Sequence, residues 1–259
     1  DDHQFIEDPT WDVQALDAAG GVIVATVTSA TSTGELAVLR DGRWQVLTNF
    51  GAALADAALP HAVTAQAPDG YPVEGWLLKP AGRGPHPVLL MIHGGPYHGY
   101  TRSFFDEAQV AVEAGYAVVM CNPRGSWGFG TEHGRAIKGD MGNLDAADVL
   151  AFLEHCLASD DALDGERLGI MGGSYGGYLT AWIIGHDHRF RGAIVERGFL
   201  DVQSFVGSSD IGWFFPQEYT SYDKAEADRQ SPMTYASEVR TPTLVIHSED
   251  DLRCPLHQG

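Results

Sequence analysis

Hydrophobic and polar positions follow two different patterns along the chain. Within residues 1–60, strand-like apolar stretches at 21–27 and 35–39 lead through an Asp41-Gly42 turn to a third at 44–47. This predicts an antiparallel β-meander. It has too few strands to close a stable sheet alone, so it is expected to pack on another layer or to end a larger β domain. From His61 to Gly259, short apolar runs at 88–92, 117–121, 168–171, 193–195 and 243–246 alternate with amphipathic stretches. That alternation predicts an α/β domain, a mostly parallel, doubly wound sheet with helices on both faces.

One of the amphipathic stretches, 145–157, places Val149, Leu150, Leu153, Cys156 and Leu157 on one helical face. Asp145, Asp148 and Glu154 lie mostly off it. Cys156 is therefore expected in the core. Pro80-Ala81-Gly82-Arg83-Gly84-Pro85 reads as a loop, and neither an internal repeat nor a low-complexity tract is present.

The chemistry concentrates in Gly172-Gly173-Ser174-Tyr175-Gly176-Gly177, where a strand runs through G-x-S-x-G into a helical stretch. The pattern is that of a nucleophile elbow, a turn so tight that side chains at Gly172 and Gly176 would collide with the neighbouring strand and helix. It sets Ser174 at the C-terminal edge of the sheet, where open α/β folds bind ligands. Its oxyanion donors would be the backbone N–H of Tyr175 and, from the loop after strand 88–92, that of Gly95 in His93-Gly94-Gly95-Pro96. His93 precedes the serine in a fold whose order is Ser, Asp, His, so it is expected to brace its loop rather than act as base. The orienting carboxylate is expected after strand 243–246, where Asp250 and Asp251 compete and spacing does not choose between them.

Composition narrows the partners. With 259 residues and 44% hydrophobic content, one core is expected without help from a metal or disulfides. A net charge of −19 opposes phosphate backbones and anionic lipid, so neither nucleic acid nor membrane is expected as a partner. Cys121, Cys156 and Cys254 are odd in number and lack CxxC spacing. Neither a disulfide framework nor a metal site is expected, no cofactor is implied, and a cytoplasmic location fits. There is no apolar run long enough to span a membrane, and the start at Asp1 without methionine suggests a segment of a longer protein. The pattern leaves oligomeric state open.

Several motifs in order resemble the prolyl oligopeptidase family of serine peptidases. They are His93-Gly94-Gly95-Pro96, Asn122-Pro123-Arg124-Gly125-Ser126-Trp127-Gly128-Phe129-Gly130, the GGSYGGY segment, Ser209-Asp210-Ile211-Gly212-Trp213, and Asp251-Leu252-Arg253-Cys254-Pro255. The resemblance spans about 61–259 and is nearest the acylaminoacyl peptidase and dipeptidyl-aminopeptidase-like branch. It implies an α/β-hydrolase fold, Asp251 as triad acid, Arg253 as the ligand of a substrate main-chain carbonyl, and a pocket helped by Trp213 and Phe214, with Phe215 beside them; burial of this aromatic cluster as core is the alternative. Read from the residues themselves, Arg124 either braces the site through hydrogen bonds or belongs to a plain strand-exit loop, and Cys254, next to Arg253, is expected as a free structural thiol. On the resemblance, residues 1–60 would be the last blade of an N-terminal β-propeller, and 61–259 a catalytic domain whose C-terminal part, including its histidine, falls after Gly259. His257 is too close to Asp251 for that role. Without the base, these 259 residues alone are expected to be nearly inactive. The activity implied is hydrolysis of short peptides. A carboxylesterase on the same fold and a catalytically silent binding module are the alternatives.

Overall fold

The computed structural model describes residues 10–221 and 223–259, so the first nine residues of the expected meander region lie outside the description. Four antiparallel strands pair in chain order: β1 (Asp12–Ala19), β2 (Val22–Ser29), β3 (Ser32–Arg40) and β4 (Arg43–Val46). Gly20-Gly21 joins β1 to β2 and Asp41-Gly42 joins β3 to β4, each pair at positive φ. Such two-residue turns follow the right-handed twist of the strands they connect. β1 adds a strand to the three expected. Seven of its eight residues are exposed, so it carries little apolar pattern and is held mainly by its ladder to β2. Ala25, Val27 and Ala37 form the small core of this sheet, with Trp11, Trp44 and Val46 packed against it.

The second sheet has seven strands: β5 (His61–Gln66), β6 (Pro72–Leu78), β7 (His86–Ile92), β8 (Ala117–Asn122), β9 (Leu163–Gly173), β10 (Gly192–Glu196) and β11 (Thr243–Ile246). Their spatial order is β11-β10-β9-β7-β8-β6-β5. The five strands from β11 to β8 run parallel, and β6 and β5 add an antiparallel edge. The helices are α1 (Asp106–Glu113), α2 (Thr131–Arg135), α3 (Leu144–Ser159), α4 (Tyr175–His186), α5 (Val202–Ser208), α6 (Phe215–Tyr219) and α7 (Lys224–Arg229).

Along β7 the side chains alternate, as a pleated strand requires. Val88, Leu90 and Ile92 join the large core with Phe152 and Leu153 of α3 and Leu179 and Ile183 of α4. Met91 points the other way, into a smaller cluster with Ala108 and Val112 of α1. β11 departs from the buried strand its apolar sequence suggests. It pairs with β10 alone at the sheet edge, and Leu244, Val245 and Ile246 are all exposed.

The helical face of α3 also differs from its periodicity. Asp145 and Asp148 are both fully buried, beside the Val149 and Leu153 face, because each carboxylate is saturated with hydrogen bonds. A buried carboxylate with a full set of donors avoids the penalty that makes an unpaired one so rare.

Candidate active site

Parallel strands deliver four loops to one edge of the sheet. They are His93-Gly94-Gly95 after β7, Ser174 after β9, Glu196-Arg197 at the end of β10 and residues 247–254 after β11. Ser174 sits between β9 and α4 at φ 59°, a left-handed backbone few residues with a side chain adopt. Its N–H donates to the Glu196 carbonyl at 2.9 Å, which pins the turn to β10. The glycines around it are steric necessities. A Cβ on Gly172 would lie 2.6 Å from the Gly176 backbone, and one on Gly176 would lie 2.1 Å from the Ile92 carbonyl oxygen. Ser174 itself is half-buried, so the hydroxyl is reachable. Its Oγ lies 3.9 Å from Cys254 Sγ, a long hydrogen-bonding contact in which either atom can donate.

The β7 loop closes over the elbow from the other side. A Cβ built on Gly94 would come within 3.6 Å of Ser174 Cβ, and Gly95 stands at φ 131°. His93 is buried beneath it. Nδ1 donates to the Gly94 carbonyl at 2.7 Å, and Nε2 lies 3.0 Å from Ser126 Oγ. Burial pulls the imidazole down to about 4, against the raising effect of the Gly94 carbonyl. The ring is neutral at physiological pH and committed to its loop, the bracing arrangement the sequence suggests.

The loop after β11 is organised by Asp251, whose Oδ1 accepts from the N–H groups of Arg253 and Cys254, both at 2.9 Å. The Ser209-Asp210 motif latches onto it from before α6. Ser209 Oγ donates to the Arg253 carbonyl at 2.6 Å, and Asp210 N–H donates to the Leu252 carbonyl at 3.0 Å. The guanidinium of Arg253 is forked onto Asp210, Nε to Oδ1 at 2.7 Å and Nη2 to Oδ2 at 3.1 Å. Cys254 is buried at the inner end of the loop, and burial raises its thiol above the usual range.

Other sequence-derived candidates are placed differently from one another. Trp213 is 74% exposed and stands edge-on to Phe214 at 4.8 Å, whereas Phe215 is buried against Phe199. His257 Nε2 lies 3.1 Å from Ser208 Oγ, turned to α5 rather than to Ser174. Arg124 is buried and bidentate to Asp148, with a further arm to Asp69 at 2.6 Å, and these carboxylates hold its pKa above the ordinary value. It therefore braces the loop after β8. Among the described residues no group of histidine, cysteine and carboxylate side chains could hold a metal ion, and all three cysteines are free and buried.

Two residues beside Ser174 are not marked as site candidates by the sequence. Asp145 of α3 accepts from Tyr175 Oη at 2.7 Å as well as from Gly142 and Ala146 N–H, and burial pushes its carboxyl up to about 6. Arg197 follows β10 at φ 39° with its side chain over Gly173. Only proximity in the folded chain marks them, since neither falls in a recurrent motif.

Similarity to known proteins agrees with this architecture. Residues 102–259 match the prolyl oligopeptidase family, peptidase S9. The chain belongs to that family. Within it, the chain is 42% identical over 209 residues to the uncharacterized peptidase YuxL of Bacillus subtilis, covering 78% of this chain and 32% of the relative. It is 31% identical over 184 residues to the acylamino-acid-releasing enzyme of Sus scrofa, covering 67% of this chain and 25% of that enzyme. Among solved structures, the acylaminoacyl peptidase of Pyrococcus horikoshii superposes with a TM-score of 0.92 at 31% identity, covering 98% of this chain and 43% of that one. The fold is thus the α/β-hydrolase fold of S9 peptidases, preceded by an antiparallel meander. The chain spans between a quarter and a third of the length of these curated relatives.

Proposed function

We propose that the protein carrying this chain is a serine peptidase of short peptides, acting through an acyl-enzyme on Ser174. The single observation that carries the reading is the strained, accessible Ser174 beside two loops whose backbones are already fixed by hydrogen bonds. Ser174 Oγ attacks the peptide carbonyl carbon as its proton passes to a histidine base. The tetrahedral oxyanion is held by the N–H groups of Gly95 and Tyr175. As first residue of α4, Tyr175 has no acceptor within its helix for that N–H. Collapse of the intermediate breaks the C–N bond, and the same histidine protonates the leaving amine. Water then repeats the sequence to release the acid.

Asp251 orients the base in this reading. His93 and His257 are held elsewhere, and the base is assigned, on the family pattern in which it follows the acid, to a histidine outside these 259 residues. Arg253, fixed by Asp210, faces the substrate main chain, and Trp213 and Phe214 contribute to the pocket for the side chain before the scissile bond. The four-stranded meander of β1 to β4 is taken as the final blade of a propeller ahead of a catalytic unit beginning near His61; its size and antiparallel order support that division. Three unpaired buried cysteines favour a reducing compartment such as the cytoplasm, and no helix among the described residues is long and apolar enough to cross a membrane.

The test is hydrolysis of N-acylated dipeptides and aminoacyl dipeptides by the intact protein, alongside aryl esters. Cleavage of the amides, lost in Ser174→Ala, supports the peptidase. Turnover of esters with no amide cleavage would replace it with a carboxylesterase.

A further inference from the structure

A cavity of about 790 Å³ opens beside the elbow, with Gly173, Gly94, Glu196, Arg197, His98 and Trp127 among its walls. Gly173 immediately precedes Ser174, and Gly94 approaches it from the β7 loop, so the cavity adjoins the elbow. Arg197 is anchored there by its backbone, and its side chain lies over Gly173. Its N–H donates to the Ile246 carbonyl at 2.7 Å, and its guanidinium covers Gly173 so closely that a Cβ on that glycine would lie 2.4 Å from Nη1.

What distinguishes Arg197 is the state of its donors. Arg124 is enclosed by Asp148 and Asp69, and Arg253 is forked onto Asp210. Arg197 has one ion-pair contact among the described residues, Nε to Glu196 Oε1 at 4.0 Å, which is beyond hydrogen-bonding reach. Its side chain keeps 46% of its surface exposed. A guanidinium is a planar fork of donors matched to a carboxylate, and this one lies over a cavity wall with its donors available.

We propose that Arg197 anchors a carboxylate of the bound peptide, making a negative group within a residue or two of the scissile bond a specificity determinant. This rests on the peptidase reading of Ser174. The carboxylate can be an Asp or Glu side chain or the C-terminal carboxylate of a short substrate; both present the same two oxygens to the fork. In a protein of net charge −19 a local cation is needed to hold such a group against the general field. Glu196 and Glu107 line the same cavity, so the opposite preference, for a cationic peptide, is the competing outcome.

The experiment compares the intact wild type, Arg197→Gln and Arg197→Lys on four short peptides of one sequence. These are a neutral peptide amide, the amide with one Glu near the cleaved bond, the amide with Lys there, and the neutral peptide with a free C-terminus. The expected result is faster cleavage of one or both carboxylate peptides than of the neutral amide. The ratio of their kcat/KM values should fall tenfold or more in Arg197→Gln and be partly retained in Arg197→Lys. Preference for Glu identifies a side-chain carboxylate, and preference for the free C-terminus identifies the terminal one. Equal cleavage of all four by the wild type, a ratio unchanged in Arg197→Gln, or preference for the Lys peptide overturns the anchor while leaving the peptidase reading intact. Failure of the wild type to cleave any peptide defeats the peptidase reading itself. If Arg197→Gln does not fold, the wild-type ranking and Arg197→Lys decide the matter.

Discussion

Tyr175 Oη donates a 2.7 Å hydrogen bond to Asp145 Oδ2, tying the residue after Ser174 to a carboxylate with no exposed surface. The phenol is thereby fixed to α3, and with it the start of α4, whose first N–H faces the reacting carbonyl in the proposed mechanism. Tyr175→Phe keeps the ring and removes this tether. We expect kcat to fall about tenfold with KM within about twofold, and stability to drop by roughly 1–3 kcal/mol because Asp145 loses a buried donor. Steady-state kinetics on acylated dipeptides and urea titration measure both. Unchanged kcat would show that the tether does not position the oxyanion donor.

Asp145 and His93 give opposite pH dependences. Burial raises the Asp145 carboxyl to about 6, so folding favours its neutral form; that stabilisation is complete below about 4 and is lost as pH rises through 6. Burial lowers His93 to about 4, so its contribution is complete above about 6.5 and is lost as pH falls through 4. Each spans about 3 kcal/mol at 1.4 kcal/mol per pH unit. In Asp145→Asn the His93 slope is unopposed, and the urea midpoint should rise more steeply between pH 4 and 6.5 than in the wild type. Parallel profiles for the two proteins would contradict the assignment.

The elbow glycines predict a sharp contrast. Gly176→Ala drives a Cβ to 2.1 Å from the Ile92 carbonyl oxygen, whereas Gly207, inside α5, has open space where its Cβ would stand. Gly176→Ala should lose roughly 3 kcal/mol or more, or fail to fold, while Gly207→Ala should be neutral or gain up to about 1 kcal/mol from helix propensity. Thermal melts of the two variants compare them directly. Equal melting temperatures would mean that the turn yields more easily than its geometry indicates.

Asp210 holds the Arg253 fork from outside the loop that carries it. Asp210→Ala frees the guanidinium to other rotamers, so KM should rise about fivefold with kcat little changed, the signature of a binding group losing its orientation. A fall in kcat at constant KM would instead place Arg253 in the chemical step.

The elbow was legible in the sequence because its shape depends on a backbone rule. The elbow is readable from Gly172 and Gly176, since no larger residue fits those contacts. In the loop after β11 spacing left Asp250 and Asp251 level, and only the family resemblance pointed to Asp251 and Arg253; the structure shows one Asp251 oxygen accepting two successive N–H groups. The buried acids were not legible. Periodicity places Asp145 and Asp148 mostly off the apolar face of α3, and only the meeting of α3 with Tyr175 and Arg124 explains how they are accommodated. The exposure of β11 was hidden for the converse reason. An apolar strand reads as buried whether or not another element covers it, and here all four of its positions are exposed. Arg197 belongs to neither pattern, because what marks it is that its one ion-pair contact among the described residues lies beyond hydrogen-bonding reach.

The central claim is that Ser174 is the acylated residue and Asp251 steers its base. It is tested most directly by treating the intact protein with a fluorophosphonate and locating the added mass by peptide mapping. One adduct on the peptide containing Ser174, absent in Ser174→Ala and formed at least a hundredfold more slowly in Asp251→Asn, is the expected result. An adduct on another residue, or a labelling rate indifferent to Asp251→Asn, would contradict it.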